Sequence, residues 1–240
     1  MPEPLPKAIL LDLDDTILSY GSPEDCWRRV CDRFAGRLTG CSVEDLFAAI
    51  DESRLWYWDD PERHRRGRLD LRRARREIVA GAFRRLRIDD PALSDEIADA
   101  YTVEREAGLQ PFPGAMETLR RLREYGVKLA LLTNGSAEAQ RFKVEKFGLA
   151  PFFDCIVIEG EFGAGKPDER VYRHALETLG VTPEEAWMVG DNLEWEVAAP
   201  QRLGIKGIWH DFAGTGLPEG SAVKPDRIIR SLTELVSKNV

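Results

Sequence analysis

Short apolar runs rich in Ile, Leu and Val recur along the 240-residue chain at 8–11, 127–132, 155–158, 186–189 and 207–209, each bounded by turn residues. Runs this short that are apolar throughout, instead of alternating with polar residues, read as strands buried on both faces. Segments with helical spacing at 116–125, 137–147, 171–179 and 194–203 alternate with the last four. Strand–helix alternation of this kind predicts a parallel sheet covered on both sides, a doubly wound α/β fold.

The interval 17–110 breaks the pattern. It holds no comparable buried run and is dominated by Arg, Glu, Ala and Leu, so it is expected to form a separate α-helical domain inserted into the sheet domain, which comprises 1–16 and 111–240. Ser22-Pro23-Glu24-Asp25 offers an N-cap with Pro at the first helical position, and Ser42-Val43-Glu44-Asp45 resembles a capping box, which places helix starts near Pro23 and Val43. Pro111-Phe112-Pro113-Gly114 marks the return to the sheet. No internal repeat or low-complexity linker is visible.

Composition changes this picture little and narrows the partners. With 43% hydrophobic and 32% charged residues the chain is of ordinary globular type, and 34 Lys and Arg against 42 Asp and Glu give a net charge of −8, which argues against nucleic acid as a partner. No apolar run approaches the ~18 residues needed to cross a bilayer, and the N-terminus lacks an export signal, so no membrane association and a cytoplasmic location are expected. Cys26, Cys31, Cys41 and Cys155 form no C-x-x-C pair, and His64, His174 and His210 have no metal-ligand spacing, so neither zinc nor disulfides are expected.

In a parallel sheet the residues just after each strand gather at one edge, however far apart they lie in sequence. Here that rule brings together Asp12-Leu13-Asp14-Asp15-Thr16, Thr133-Asn134-Gly135, Gly165-Lys166-Pro167-Asp168 and Gly190-Asp191-Asn192. Asp12, Asp14 and Asp15 beside Asp191 would repel one another unless a cation held them, and hard oxygen donors favour Mg²⁺. Two acids separated by one residue, Asp12 and Asp14, can serve as nucleophile and proton donor. The Thr133 hydroxyl and the Lys166 ammonium supply the donors and positive charge that a phosphoryl group requires. Phosphoryl transfer is the chemistry these residues have in common.

The sequence resembles the haloacid dehalogenase superfamily of hydrolases, whose four motifs appear in order as LLDLDDTIL, LLTNG, GKPD and MVGDNLEWEV. The resemblance spans the whole chain. It implies that Asp12 attacks phosphorus to form an aspartyl-phosphate, that Asp14 protonates the leaving oxygen and later activates water, and that Thr133 and Lys166 hold the phosphoryl group. It further implies Mg²⁺ bound by the Asp12 carboxylate, the Asp14 carbonyl and Asp191, with Glu196, where many relatives carry Asp, as an additional metal ligand directly or through water. Glu194 ranks below Glu196. The helical insertion resembles the family's first class of cap domain, which closes over the site and reads the substrate. Asn134 is a candidate substrate contact, as are Ser19, where the chain leaves the core, and Trp56 in the insertion.

An acid at Asp14 argues for a phosphatase of a small phosphorylated metabolite, against carbon–halogen hydrolysis. A phosphomutase shares every core motif, and a noncatalytic interaction protein is the rival from another class. The second half of the chain most resembles capped phosphatases of sugar phosphates, such as N-acylneuraminate phosphate phosphatase, and of nucleoside monophosphates.

Residues 61–90 carry eleven Arg against five Asp and Glu. The spacing of Arg72, Arg73, Arg75 and Arg76 reads as a solvated helical face, with attraction of an anionic substrate as the functional alternative. Trp56, Tyr57 and Trp58 cannot share one helical face, so at least one of them is expected to be partly exposed or to line the cleft between insertion and core. His210, after the last strand, is read as structural.

Overall fold

The computed structural model describes residues 4–236, and the chain divides into two compact units, Met1–Ser19 with Gln110–Val240 and, inserted between them, Tyr20–Leu109. The chain crosses from one unit to the other at 19/20 and 109/110, three residues later and one residue earlier than the apolar pattern suggests. The reason is a short antiparallel ribbon that the pattern does not reveal. Of the strands β1 (Ala8–Leu11), β2 (Leu18–Ser19) and β3 (Gln110–Pro111), the last two pair as Leu18 with Pro111 and Ser19 with Gln110, and both belong to the sheet unit.

The inserted unit is helical throughout: α1 (Pro23–Phe34), α2 (Val43–Asp59), α3 (Pro61–Leu69), α4 (Leu71–Leu86) and α5 (Pro91–Ala107). Its helices start where side chains can satisfy the first free N–H groups. Ser22 accepts from the Asp25 N–H, Ser42 and Asp45 form a reciprocal capping box, and Asp60, Asp70 and Asp90 cap the three helices that follow them. The unit has its own core of Trp27, Val30, Leu46, Ile50, Tyr57, Ile78, Val79, Phe83 and Ile97, with the Trp27 and Tyr101 rings stacked at 3.6 Å. Two of the three consecutive aromatics turn inward or partly inward, whereas Trp56 is 50% exposed.

Much of the Arg-rich face is held by acids. Arg73 pairs with Glu77, Arg76 with Asp95 and Asp99, and Arg65 with Glu62. Arg105 is buried and uses one Nη to donate to the carbonyls of Tyr20 and Gly21, 3.0 Å from each, tying the last helix to the start of the insertion.

In the sheet unit the remaining elements are α6 (Ala115–Glu124), β4 (Lys128–Thr133), α7 (Ala137–Lys146), β5 (Cys155–Ile158), α8 (Glu159–Phe162), α9 (Glu169–Leu179), β6 (Ala186–Gly190), α10 (Ala199–Arg202), β7 (Lys206–His210) and β8 (Arg227–Ile229). Six strands form one parallel sheet in the order β5-β4-β1-β6-β7-β8. Central β1 pairs residue for residue with 128–131 on one side and 186–189 on the other, and all four of its side chains are fully buried. Ala8, Leu10, Ala130, Leu132 and Met188 pack against Val171, Tyr172, Ala175 and Leu179 of α9. Ile9, Leu11, Leu129 and Leu131, one step out of phase, point to the opposite face and are equally buried. Uniformly apolar strands are the outcome expected of such a two-sided sheet, and the α/β class read from the pattern is the class observed.

Two departures have physical causes. β8 is an edge strand with Ile228 exposed, so it lacks the continuous apolar run that marks the others. The segment read as one helix at 194–203 is a π-helical turn over Leu193–Ala198 followed by α10. Pro200 has no N–H to close an α-turn onto the Glu196 carbonyl, which favours the wider winding there.

Gly207 of β7 lies against this turn: a Cβ at that position would sit 2.7 Å from the Val197 Cα. Gly207→Ala is therefore expected to destabilise the sheet unit by roughly 1–3 kcal/mol, the usual cost of overpacking, as a lower urea midpoint with an unchanged denaturant slope.

Candidate active site at the carboxyl edge of the sheet

The backbone turns sharply where β1 ends. The Asp12 N–H still donates to the Val189 carbonyl at 3.0 Å, extending the β1–β6 ladder by one residue. Beyond it, the N–H groups of Ile17 and Leu18 both donate to the Leu13 carbonyl at 2.9 Å, and the Asp15 N–H donates to the Leu18 carbonyl at 2.7 Å. Asp15 takes the left-handed conformation, φ 55°, that this reversal demands. Its carbonyl is met by Nδ1 of the buried His210 at 3.2 Å, so that His210 braces the turn from β7.

Lys166 lies at the centre of the site. It is 1% exposed, and its Nζ donates to Asp12 Oδ1 at 2.5 Å and to Glu196 Oε1 at 2.7 Å. Burial works against its charge, but Asp12 and Glu196 outweigh it and raise its pKa above the usual lysine range. Asp12 is itself buried and also accepts from the Thr16 hydroxyl at 3.3 Å. Burial raises its pKa against the opposing pull of Lys166.

Glu196, expected beside the metal, is packed against the lysine. It is 1% exposed and both its oxygens are committed, Oε1 to Lys166 and Oε2 to the Asn192 N–H at 2.7 Å. In this arrangement it pairs with the lysine as a counter-ion. Burial pushes its carboxyl up to about 7, with Lys166 opposing. Gly190 makes room for it, since a Cβ at position 190 would lie 2.1 Å from Glu196 Cγ. Asp191, just beyond β6, has its carboxyl pushed up to about 9 by burial first and then by Asp12, Glu196 and Asp15. Two carboxylates thus share one ammonium directly, with Asp191 close enough to feel their charge.

Asp14 lies apart from this group, with its side chain 30% exposed. Both of its oxygens accept from Lys143 Nζ, at 2.8 and 2.7 Å, and Oδ2 also accepts from Gln140 Nε2 at 3.0 Å. Gln140 Nε2 also contacts Thr133 Oγ1 at the end of β4. Lys143 and Gln140, both buried on α7, escape a reading confined to strand ends. Only the structure reveals them: on α7 Lys143 is buried while its neighbour Phe142 is 51% exposed, an inversion of the usual preference.

Asn134, the candidate substrate contact, is bound to the backbone of Lys166. Its Nδ2 donates to the Lys166 carbonyl and its Oδ1 accepts from the Lys166 N–H, both at 2.8 Å, so its carboxamide clamps the backbone that carries the lysine. Gly165 allows this approach, because a Cβ there would lie 2.5 Å from Glu159 Cδ and 2.7 Å from Asn134 Oδ1. Glu159, buried at the start of α8, accepts from the Gly135 N–H at 3.0 Å and fixes the second loop to the third. Ser19 is held in the ribbon opposite Gln110, and Trp56 belongs to the helical unit with the Arg63 guanidinium 3.8 Å from its ring centre. The edge therefore assembles Asp12, Asp14, Thr133, Lys166, Asp191 and Glu196, and adds Gln140 and Lys143.

A family model of haloacid dehalogenase-like hydrolases matches residues 6–204. Among curated proteins, the phosphoserine phosphatase of Thermus thermophilus is 36% identical, with 95% of this chain and 97% of that protein covered. The N-acylneuraminate-9-phosphatase of Rattus norvegicus is 27% identical, with 95% of this chain and 92% of its own length covered. Among solved structures, the HAD-hydrolase YfnB of Bacillus subtilis, bound to magnesium, has a TM-score of 0.73 at 22% identity and covers 97% of this chain and 98% of that one. At that identity the likeness speaks for the fold.

The sharing of one ammonium by buried carboxylates has a measurable consequence. Without divalent cations, Lys166→Met is expected to cost roughly 3–5 kcal/mol in urea unfolding, because it leaves buried charges uncompensated, and adding Glu196→Gln is expected to recover part of that loss. Strictly additive losses would contradict the coupling.

Proposed function

The chain belongs to the haloacid dehalogenase-like hydrolase family, and on that premise we propose that it is a magnesium-dependent phosphatase that hydrolyses a small phosphorylated metabolite through an aspartyl-phosphate on Asp12. The observation that supports this most is the buried contact of Asp12 with Lys166 at a sheet edge that also carries Thr133 and a second carboxylic acid two residues on. A carboxylate nucleophile, a fixed cation, a hydroxyl donor and a proton carrier are the parts that transfer of a phosphoryl group to the protein and on to water requires.

The residues present fit a magnesium ion. Asp12, Glu196 and Asp191 place more negative charge at the edge than Lys166 offsets, as the upward push on Asp191 reflects. Among the described residues, no three His, Cys, Asp or Glu side chains form a ready-made metal cage. Mg²⁺ rarely needs one, since it keeps several waters and takes one or two carboxylates together with substrate phosphate oxygens. Asp12 and Asp191 would hold it by their carboxylates and Asp14 by its carbonyl. When bound, the ion supplies positive charge to the phosphoryl oxygens.

In the proposed reaction an Asp12 oxygen forms a bond to phosphorus as the bond to the leaving oxygen breaks. Asp14 gives that oxygen its proton, releasing an alcohol. Asp14 then takes a proton from water, whose oxygen attacks the phosphorus of the acyl phosphate, and inorganic phosphate leaves as the Asp12 carboxylate is restored. Lys166 and Thr133 hold the non-bridging oxygens in both steps. Glu196 and Asn134 keep Lys166 in place from its two ends. In the same reading the helical insertion is the cap domain, and choice of substrate falls to it.

Hydrolysis of phosphorylated metabolites, read as free phosphate in the presence of Mg²⁺, is the direct test. Asp12→Asn is expected to lower kcat on the order of 10⁴-fold or more, as removal of a nucleophile does elsewhere. Undiminished turnover by this variant would refute the mechanism, and an isomerised sugar phosphate in place of free phosphate would identify a mutase.

Binding of the ion can be followed separately. Mg²⁺ at about 100 times its dissociation constant is expected to stabilise the protein by about 2.7 kcal/mol in thermal unfolding, and Asp191→Asn is expected to abolish most of that gain.

A further inference from the structure

The Asp14 carboxyl group is the proton carrier in the function proposed above, and the protein spends two buried polar side chains on holding it. Gln140 and Lys143 lie three residues apart on one face of α7, the face that an amphipathic helix normally fills with apolar residues. Both are buried, yet the carboxylate they serve is 30% exposed. As a stabilising device this is poor, because taking an ammonium out of water to meet a partly solvated carboxylate gains little over an apolar pair of similar volume. The arrangement makes sense if the position of Asp14 matters more than the stability gained.

We infer that Lys143 and Gln140 are positioning residues for Asp14, holding its carboxyl group where it can pass a proton to and from the reacting oxygens. This rests on the phosphatase reading. Contact from Lys143 Nζ to both oxygens removes the freedom of the carboxyl group to turn about its terminal bond. Gln140 Nε2 reaches Asp14 Oδ2 and Thr133 Oγ1 from one nitrogen, so the acid is located relative to the hydroxyl expected to hold the phosphoryl group. The end of β4, the turn after β1 and one turn of α7 thereby become one hydrogen-bonded unit. A general acid acts only within hydrogen-bond reach of its target, and displacement by about 1 Å can cost on the order of 10²-fold.

Leaving-group dependence separates this role from a merely structural one. With Mg²⁺ present, kcat/KM of Lys143→Met is compared with that of the unaltered protein on p-nitrophenyl phosphate, phenyl phosphate and a primary alkyl phosphate. A nitrophenolate departs without a proton, whereas an alkoxide needs one. The variant is expected to lose less than about threefold on the nitrophenyl ester and roughly 30- to 100-fold on the alkyl ester, a fraction of what general acid catalysis supplies. Lys143→Arg, which keeps the cation, is expected to restore most of the alkyl-ester activity. An equal loss on all three esters, or none, overturns the inference. Should circular dichroism show that Lys143→Met does not fold, Gln140→Leu is read in the same way, with a smaller selective loss expected and a uniform loss or none contradicting the inference. Asp12→Asn in the same series keeps the two readings apart. Retained activity in that variant brings down the phosphatase itself, whereas an inactive Asp12→Asn beside a Lys143→Met that tracks the unaltered protein on every ester brings down only the positioning role.

Discussion

A positive charge carried out of reach of water must be met by negative charge and by tightly held hydrogen bonds, and Lys166 imposes that demand on everything around it. Its ammonium is met by Asp12 and Glu196, and its peptide is clamped by Asn134. Each of these partners sits in the stretch of chain that follows a strand, so the parallel order of the sheet is what allows three distant stretches to answer one lysine on a fourth. Two glycines follow from the same demand. Gly190 leaves room for the Glu196 side chain and Gly165 leaves room for Asn134 and Glu159. The π-helical turn that carries Glu196 is a further accommodation, since Pro200 obliges the chain to wind wide at that point.

Much of this was legible without coordinates, for a definite reason. Strands buried on both faces cannot carry polar side chains, so they stand out as uninterrupted apolar runs, and the chemistry must then fall on the residues immediately after them. That rule brings Asp12, Thr133 and Asp191 to one edge of the sheet, and Lys166 with them on the loop beyond β5. What escaped lies on surfaces where the pattern is ambiguous. Lys143 and Gln140 look like solvated positions on α7 until their burial is seen. β8 has one exposed face and too few residues to form a run. The starts of α3 and α5, at Asp60-Pro61 and Asp90-Pro91, obey the rule that identified Ser22-Pro23, and their polar surroundings hid them. The contact of Glu196 with Lys166 was not legible either, because spacing alone does not show which neighbour a carboxylate beyond the end of a strand will face.

The electrostatic division of labour between the two acids of the first loop also emerges from packing. Asp12 is enclosed and shares its lysine with Glu196, whereas Asp14 keeps access to solvent and has a lysine of its own. In the proposed reaction the enclosed acid is the one that would form the bond to phosphorus, and the other would retain contact with the medium through which protons come and go. Two residues of identical chemistry, two positions apart in the sequence, acquire different properties from the elements that close over them.

The ribbon of β2 and β3 has a meaning for the history of such a chain. Ser19 and Gln110 are neighbours across an antiparallel pair, so the polypeptide departs from the sheet unit and comes back to it at nearly the same point. A helical unit with its own core, spliced in at a place where both cut ends are already paired, imposes no strain on the strands beside it and adds little closure entropy for its length. The segment between those ends can lengthen, shorten or be exchanged for a different fold while the register of the parallel sheet stays as it is. Change in the insertion can therefore proceed without disturbing the close packing of the sheet edge, which would not tolerate it in itself.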